Sequence, residues 1–169
     1  EALIAGKALK ASGYKFDIMF TSVLLRAKRT GNIILRQMAQ EDIKIIENEA
    51  LNERNYGDLA GLNKDKARKN WGEDQVHKWR RSFDIAPPGG ESLKMTAERV
   101  LPYYEKNILP LLIDNLEVVI AAHGNSLRAL VMKLDKLSPE EVVKLEIPTG
   151  MPICYQVNKL GEVVAKTLI

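Results

Sequence analysis

A short run near the end of the chain combines an imidazole, an amide and a glycine where a strand meets a helix. Residues 122–128 read Ala-His-Gly-Asn-Ser-Leu-Arg and follow the apolar stretch 118–121, which predicts a buried strand. Apolar residues then recur at helical spacing, so His123 lies at the strand end, with Gly124 allowing a tight turn and Asn125 placed to cap the helix. Carboxyl ends of strands bind ligands in open α/β sheets, and free N–H groups at a helix N-terminus favour anions. This corner predicts a site for a phosphorylated substrate.

The first group suited to the same anion follows another predicted strand. Arg26 comes one helical turn after Ser22, so its guanidinium can reach the same face as His123. Thr21 and Ser22 could also bond an anion, although capping of the following helix is the more common role of such residues. A lone histidine near a strand end is likewise more often structural than catalytic, so the prediction depends on these residues acting together.

A dense polar segment, residues 51–57, supplies a carboxylate, a guanidinium, an amide and a phenol in the run Leu-Asn-Glu-Arg-Asn-Tyr-Gly. A carboxylate held near cationic groups can exchange protons with a substrate hydroxyl, which makes Glu53 a candidate acid/base group. The alternative is that Glu53 and Arg54 form a solvated surface pair. Lys64 and the pair Arg80 and Arg81 also fit surface charge, although arginine is suited to bidentate binding of phosphate or carboxylate.

Composition excludes several classes of protein. The 169 residues predict one domain, 1–169, and the net charge of +3 is too small and too dispersed for a nucleic-acid surface. No stretch is long and apolar enough to span a membrane, and no metal-ligand spacing is visible. Cys154 is the single cysteine and cannot form an internal disulfide, which favours a reducing, cytoplasmic location.

The elements that must position these groups alternate between strands and helices. The pattern predicts helices over 1–11, 22–40, 75–82, 91–112 and 125–134, strands over 17–20, 43–46 and 117–122, and a hairpin from 152–157 and 163–165. Residues 47–71 are predicted to be polar and turn-rich, and 86–90 to be a loop. This alternation is typical of an α/β fold with a mostly parallel sheet.

Taken together, these segments resemble the cofactor-dependent phosphoglycerate mutases of the histidine phosphatase superfamily. The matching runs follow the family's order through most of the chain and comprise 21–27, 51–57, 61–64, 79–82, 87–92 and 122–128. The Leu-Asn-Glu-Arg, Trp-Arg-Arg and Pro-Pro-Gly-Gly-Glu-Ser runs are more specific than His-Gly alone and favour the mutases over the broader phosphatases. The resemblance implies a three-layer α/β sandwich with helices on both faces of the sheet.

The resemblance also implies a role for each matched residue. It makes His123 the histidine that contacts the transferring phosphoryl group, Glu53 the proton donor and acceptor, and Arg26 a ligand of phosphoryl oxygens. The remaining substrate-binding residues that it implies are Arg54, Tyr56, Lys64, Arg80, Arg81, Gly124 and Asn125.

The implied reaction interconverts 3-phosphoglycerate and 2-phosphoglycerate, a step of glycolysis and gluconeogenesis, through a phosphohistidine. The implied cofactor is 2,3-bisphosphoglycerate, which primes the histidine, and no metal is implied. The partners are then small phosphorylated glycerates, and because this family often forms homo-oligomers, a second copy of the chain is a further candidate partner.

One departure from the family pattern is large. The family's phosphorylated nucleophile lies in an Arg-His-Gly run on an earlier strand, whereas this chain has two histidines, His123 and His77, and His77 follows neither a strand nor a glycine. We therefore expect the natural protein to begin earlier by at least that strand, and the 169 residues alone to be inactive. A phosphatase of the same superfamily and a non-catalytic binder of phosphorylated ligands remain the alternatives.

Overall fold

Three short strands form the sheet on which the fold is built. The computed structural model describes residues 1–169, and its parallel strands are β1 (Ile18–Thr21), β2 (Lys44–Glu47) and β3 (Val118–Ala121), in the order β2-β1-β3. The central strand pairs in register with both neighbours, so that Phe20 lies opposite Ile46 and Ile120. Because the strands are parallel, their carboxyl ends meet at one edge, where Ser22 and His123 emerge.

Helices cover both faces of this sheet. They are α1 (Ala2–Ala11), α2 (Leu25–Gln37), α3 (Lys64–Trp71), α4 (Glu73–Arg81), α5 (Leu93–Tyr103), α6 (Leu109–Ile113), α7 (Gly124–Leu134) and α8 (Pro139–Val142). Side chains alternate along β1, so Phe20 packs in a core with Val100 of α5 and Ala129 of α7, whereas Met19 packs against Leu35 of α2. The predicted α/β architecture with flanking helices is confirmed.

The end of the chain forms a separate antiparallel hairpin, as predicted. Its strands are β4 (Ile153–Val157) and β5 (Val163–Leu168). The side chain of Asn158 closes the turn by accepting the N–H groups of Leu160 and Glu162, each at 2.9 Å. None of the chain's helices combines the length and apolarity that crossing a membrane requires.

Residues 47–71 contain more regular structure than predicted. Two short 3₁₀ turns occur at Glu49–Leu51 and Gly57–Leu59, and α3 follows. The side chain of Asn63 caps α3 by accepting the N–H of Lys66 at 2.7 Å. Ala67 is the buried residue of this polar helix, so its sequence lacks the apolar stripe that would have revealed it.

Two further helix predictions were wrong at their boundaries. The helix predicted from Ser22 begins at Leu25, because the Ser22 hydroxyl accepts the Leu24 N–H in a turn that precedes the helix. The long helix predicted over 91–112 is divided by a π-helical turn at Tyr104–Ile108. Pro110 follows that turn and has no N–H to continue the α-helical hydrogen bonds, which explains the irregularity.

Candidate active site

A buried histidine lies at the carboxyl edge of the sheet with a partner on each ring nitrogen. His123 comes two residues after β3 and is 6% exposed. Its Nε2 lies 2.7 Å from the hydroxyl of Ser22, which follows β1, and its Nδ1 accepts the Nε–H of Arg26 at 3.2 Å. The ends of two neighbouring strands therefore bring His123 next to Ser22 and Arg26, which lie about a hundred positions earlier in the chain.

The surroundings of His123 favour a neutral ring. Burial lowers the pKa of His123 below its usual 6.5, and the nearby guanidiniums of Arg26 and Arg99 lower it further, while the Glu53 carboxylate raises it in part. Burial and the two guanidiniums therefore favour the uncharged form of the imidazole. A neutral histidine beside a guanidinium can gain a proton when an anion enters, because the anion compensates the added positive charge.

The Glu53 carboxylate lies at the N-terminus of α7. Its Oε1 accepts the backbone N–H of Asn125 at 3.1 Å and that of Arg54 at 2.8 Å. Gly124 lies beside the same carboxylate, since a Cβ built there would be 3.9 Å from Glu53 Oε2. Asn125 does not cap the helix as predicted: His123 occupies the N-cap, and the Asn125 side chain donates to the Tyr56 hydroxyl at 3.1 Å.

Tyr56 joins this cluster to two arginines. The guanidinium carbons of Arg54 and Arg80 lie 4.7 Å and 5.5 Å from the centre of its ring. The Nε of Arg80 is buried and has no hydrogen-bond partner, so it is a donor free for a ligand. Lys64 and Arg81 are exposed, and neither makes a hydrogen bond or ion pair with the cluster in the structure.

Arg54 is buried, which makes a solvated Glu53–Arg54 surface pair the wrong interpretation of this residue. It is 4% exposed, its Nε donates to the Glu91 carbonyl at 2.7 Å, and its Nη2 donates to the Trp79 carbonyl at 2.6 Å. Burial lowers the pKa of Arg54, with the surrounding carboxylates opposing that effect. Its guanidinium therefore holds the Glu53 segment against the end of α4.

Like Arg54, Arg99 of α5 holds the Glu53 segment in place, and sequence reasoning missed it. It donates to the carbonyls of Ala50, Asn52 and Glu53 at 2.7, 3.0 and 3.1 Å, and its Nε and Nη2 also donate to the two oxygens of the Glu91 carboxylate. Burial would raise the pKa of Glu91, but the bonds from Arg99 and the Asn55 N–H outweigh it and lower that pKa. The backbone that carries Glu53 is thus fixed by Arg99, which lies more than forty positions away and has no local sequence signal.

Two glycine-containing loops pack backbone against backbone beside the Arg99 bonds. The N–H of Asp58 donates to the Pro88 carbonyl at 2.9 Å, and the N–H of Glu91 donates to the Asn55 carbonyl at 2.6 Å. A Cβ added at Gly57 would collide with the 88–90 backbone, and Gly57 also has a positive φ of 56°. A Cβ at Gly90 would collide with the Asn55 carbonyl in turn. We call this contact the loop seam.

The arrangement suits an anion next to a proton-exchanging carboxylate. Cationic side chains and the α7 N-terminus favour phosphoryl and carboxylate groups, and Glu53 can give or take a proton beside them. No group of histidine, cysteine, aspartate and glutamate side chains is arranged to hold a metal ion. Fold and site together define an α/β protein with a buried histidine, an arginine and a carboxylate gathered at the carboxyl edge of its parallel sheet.

Comparison with known proteins places the chain in a family. A family model described as "Histidine phosphatase superfamily (branch 1)" matches residues 1–164, so the chain belongs to that superfamily. It is 63% identical over 169 residues to the 2,3-bisphosphoglycerate-dependent phosphoglycerate mutase of Parvibaculum lavamentivorans, and 57% identical to the phosphoglycerate mutase of Schizosaccharomyces pombe. In both comparisons the match covers 100% of this chain and 80% of the relative.

Solved structures agree on the fold at much lower identity. Bacillus stearothermophilus YhfR superposes with a TM-score of 0.78 at 23% identity, covering 96% of this chain and 77% of that one. The α-ribazole phosphatase of Shigella flexneri superposes with a TM-score of 0.77 at 17% identity, covering 95% and 78%. These likenesses concern the architecture of the chain.

Proposed function

We propose that this chain belongs to a 2,3-bisphosphoglycerate-dependent phosphoglycerate mutase, which interconverts 3-phosphoglycerate and 2-phosphoglycerate. The observation that carries the proposal is the pairing of Glu53 with the anion-binding corner at His123, held at 3.1 Å through the Asn125 N–H. Moving a phosphoryl group between adjacent hydroxyls needs both an anion site and an acid/base group. Eight relatives named as phosphoglycerate mutases, 54–63% identical to this chain, support the same activity.

The phosphoryl group would bind between His123, Arg26 and the start of α7. Phosphoryl transfer spreads negative charge over oxygens, so catalysis is mostly positioning and charge stabilisation. Arg26 would turn its donors from the ring to the phosphoryl oxygens, and the N–H of Gly124 would face the same anion, while the Asn125 N–H stays bonded to Glu53. His123 would then donate a hydrogen bond to it from a protonated ring nitrogen.

The rest of the glycerate would lie along the cationic residues. The free Nε of Arg80 is suited to a substrate carboxylate or phosphate, because a buried donor without a partner costs about 1–3 kcal/mol that a ligand would recover. Arg81, Lys64 and the hydroxyl of Tyr56 complete the proposed substrate-binding set. The buried Arg54 belongs to it through its contact with the Tyr56 ring.

The cofactor would be 2,3-bisphosphoglycerate, whose phosphoryl group primes a histidine. The family's acceptor lies in an Arg-His-Gly run, and neither histidine of this chain occupies one. His77 is exposed on α4, and His123 has partners on both ring nitrogens. For experiments we define the extended chain as these 169 residues with an Arg-His-Gly strand of the family joined ahead of Glu1.

One assay separates mutase from phosphatase. The extended chain is supplied with 3-phosphoglycerate and a trace of 2,3-bisphosphoglycerate, and both 2-phosphoglycerate and inorganic phosphate are measured. A mutase forms the isomer much faster than free phosphate. Release of phosphate without the isomer would instead identify a phosphatase, and neither product would favour a non-catalytic binder.

Replacing Arg26 by Lys should weaken phosphate binding although the charge is kept. Lysine lacks the planar fork of donors, and one charge-assisted bond is worth about 1.5–3 kcal/mol, so we expect a loss of roughly 10-fold or more in affinity. Calorimetric titration with inorganic phosphate measures it. Arg29→Lys is the matched control, because Arg29 is exposed one turn further along α2 and has no bond to His123. Equal affinities of the two variants would remove Arg26 from the site.

A further inference from the structure

The partners of His123 specify which ring nitrogen carries the proton. The Nε of Arg26 bears a hydrogen and has no lone pair to offer, so it can only donate to Nδ1. In the neutral ring Nδ1 must then be the bare nitrogen, and the proton must be on Nε2. The Ser22 oxygen, 2.7 Å away, is the acceptor of that proton.

The Ser22 hydroxyl is itself held in place. Its oxygen also accepts the Leu24 N–H at 3.2 Å, and Ser22 is fully buried. A serine oxygen has two lone pairs, so these two bonds use its full accepting capacity. The neighbouring Thr21 is equally buried, yet its hydroxyl has no partner. The two adjacent hydroxyls therefore differ sharply in what they do.

We infer that Ser22 is a positioning residue of the site: its oxygen accepts the Nε2–H of His123 and leaves Nδ1 as the nitrogen that faces a bound phosphoryl group. The inference rests on the proposed function only in taking the ligand as phosphate. When a phosphate anion draws Arg26 to itself, Nδ1 is uncovered and takes up a proton from solvent. The resulting cation donates through Nδ1 to the anion and through Nε2 to Ser22.

The charges around the ring agree with this sequence of events. Arg26 from α2 and Arg99 from α5 oppose the second proton, and Glu53 from the loop after β2 favours it. A bound phosphate would offset the two guanidiniums. Ser22 contributes differently, because a bond from a charged donor is about twice as strong as one from a neutral donor, so Ser22 stabilises the cation more than the neutral ring.

The unsubstituted chain provides the first test. With ¹⁵N-labelled histidine, long-range ¹H–¹⁵N spectra distinguish protonated from bare ring nitrogens, and the exposed His77 serves as an internal reference. We expect His123 to show a protonated Nε2 and a bare Nδ1 in the free protein, and a second proton on Nδ1 when inorganic phosphate is bound. A free protein with the proton on Nδ1, or a bound one whose Nδ1 stays bare, overturns the inference.

Two neighbouring variants provide the second test. Ser22→Ala should lower the proton affinity of His123 by roughly 5- to 10-fold, since the cation loses the stronger bond. Thr21→Val is the matched control, because it removes an equally buried hydroxyl that has no partner, and it should leave the His123 titration unchanged. Equal titration of His123 in both variants contradicts the role of Ser22.

Neither test depends on turnover or on every variant folding. If Ser22→Ala proves unstable by circular dichroism, the tautomer of the unsubstituted chain still decides. Failure of the proposed mutase activity would appear in the product assay, whereas failure of this inference would appear at a ring nitrogen, so the two are distinguishable.

Discussion

Replacing Glu53 by Gln lowers the turnover number of the extended chain by about 10²–10⁴-fold, the usual cost of losing one general acid/base group. The amide keeps an oxygen that can accept the N–H groups of Asn125 and Arg54, so the loop should keep its shape. It cannot exchange a proton with a substrate hydroxyl. We therefore expect the Michaelis constant to change little while the turnover number falls, as measured by steady-state conversion of 3-phosphoglycerate.

The control for this variant is Glu49→Gln. Glu49 lies in the same segment and is exposed, and its side chain makes no hydrogen bond or ion pair. Glu49→Gln removes one negative charge near the site without changing a residue of the site. Comparing the two variants therefore separates the loss of proton transfer from the loss of a nearby charge. Turnover of Glu53→Gln within a few-fold of that of Glu49→Gln would exclude Glu53 as the acid/base group.

The second large effect concerns phosphorylation of the protein itself. We expect the 169-residue chain to take up no acid-labile phosphate from 2,3-bisphosphoglycerate, whereas the extended chain takes it up. A phosphohistidine forms by attack of a bare ring nitrogen. In His123 the Nε2–H is bonded to Ser22, and Nδ1 takes up a proton once a phosphate draws Arg26 away, so neither nitrogen is bare beside the bound phosphoryl group. Incubation with labelled cofactor, followed by intact-mass measurement before and after acid treatment, measures the uptake.

The sheet offers a place for the added strand. β3 pairs with β1 on one side only, and its apolar residues Val118, Val119 and Ile120 are only partly buried. A strand joined ahead of Glu1 can therefore pair with the free edge of β3, next to His123. Phosphate on His123 of the unextended chain, located from the masses of its peptide fragments, would contradict the roles assigned above.

The sheet and the hairpin could be predicted because their signals are local. Four-residue apolar runs such as Val118–Ala121 indicate buried parallel strands, and the Asn158 turn lies between two runs of strand-forming residues. α3 could not be predicted in this way, since its sequence carries a single buried residue, Ala67. The division of the long helix depends on how Pro110 is accommodated, which periodicity does not reveal.

The candidate site was predictable to the extent that short motifs carry it. His123 and Arg26 are predictable from their positions after strands, Glu53 from its dense polar segment, and all three from the family resemblance. The structure places them together. The role of Arg99 and the bond between Ser22 and His123 were not predictable, because these contacts join distant parts of the chain. Exposed Lys64 and Arg81 stay predictions, since the structure gives them no contact with the cluster.

The loop seam has a consequence for how this chain can vary. The two backbones touch without side chains between them, so a larger residue on one side cannot be compensated by a smaller one on the other. Gly57 and Gly90 therefore constrain each other although they are far apart in sequence. In this chain the Pro-Pro-Gly-Gly-Glu-Ser run therefore matters for its backbone shape, because Gly90 leaves room for the Asn55 carbonyl. The same contact holds the backbone of the Glu53 segment in place. In the proposed reaction the carboxylate then needs little rearrangement before it exchanges a proton with the substrate hydroxyl.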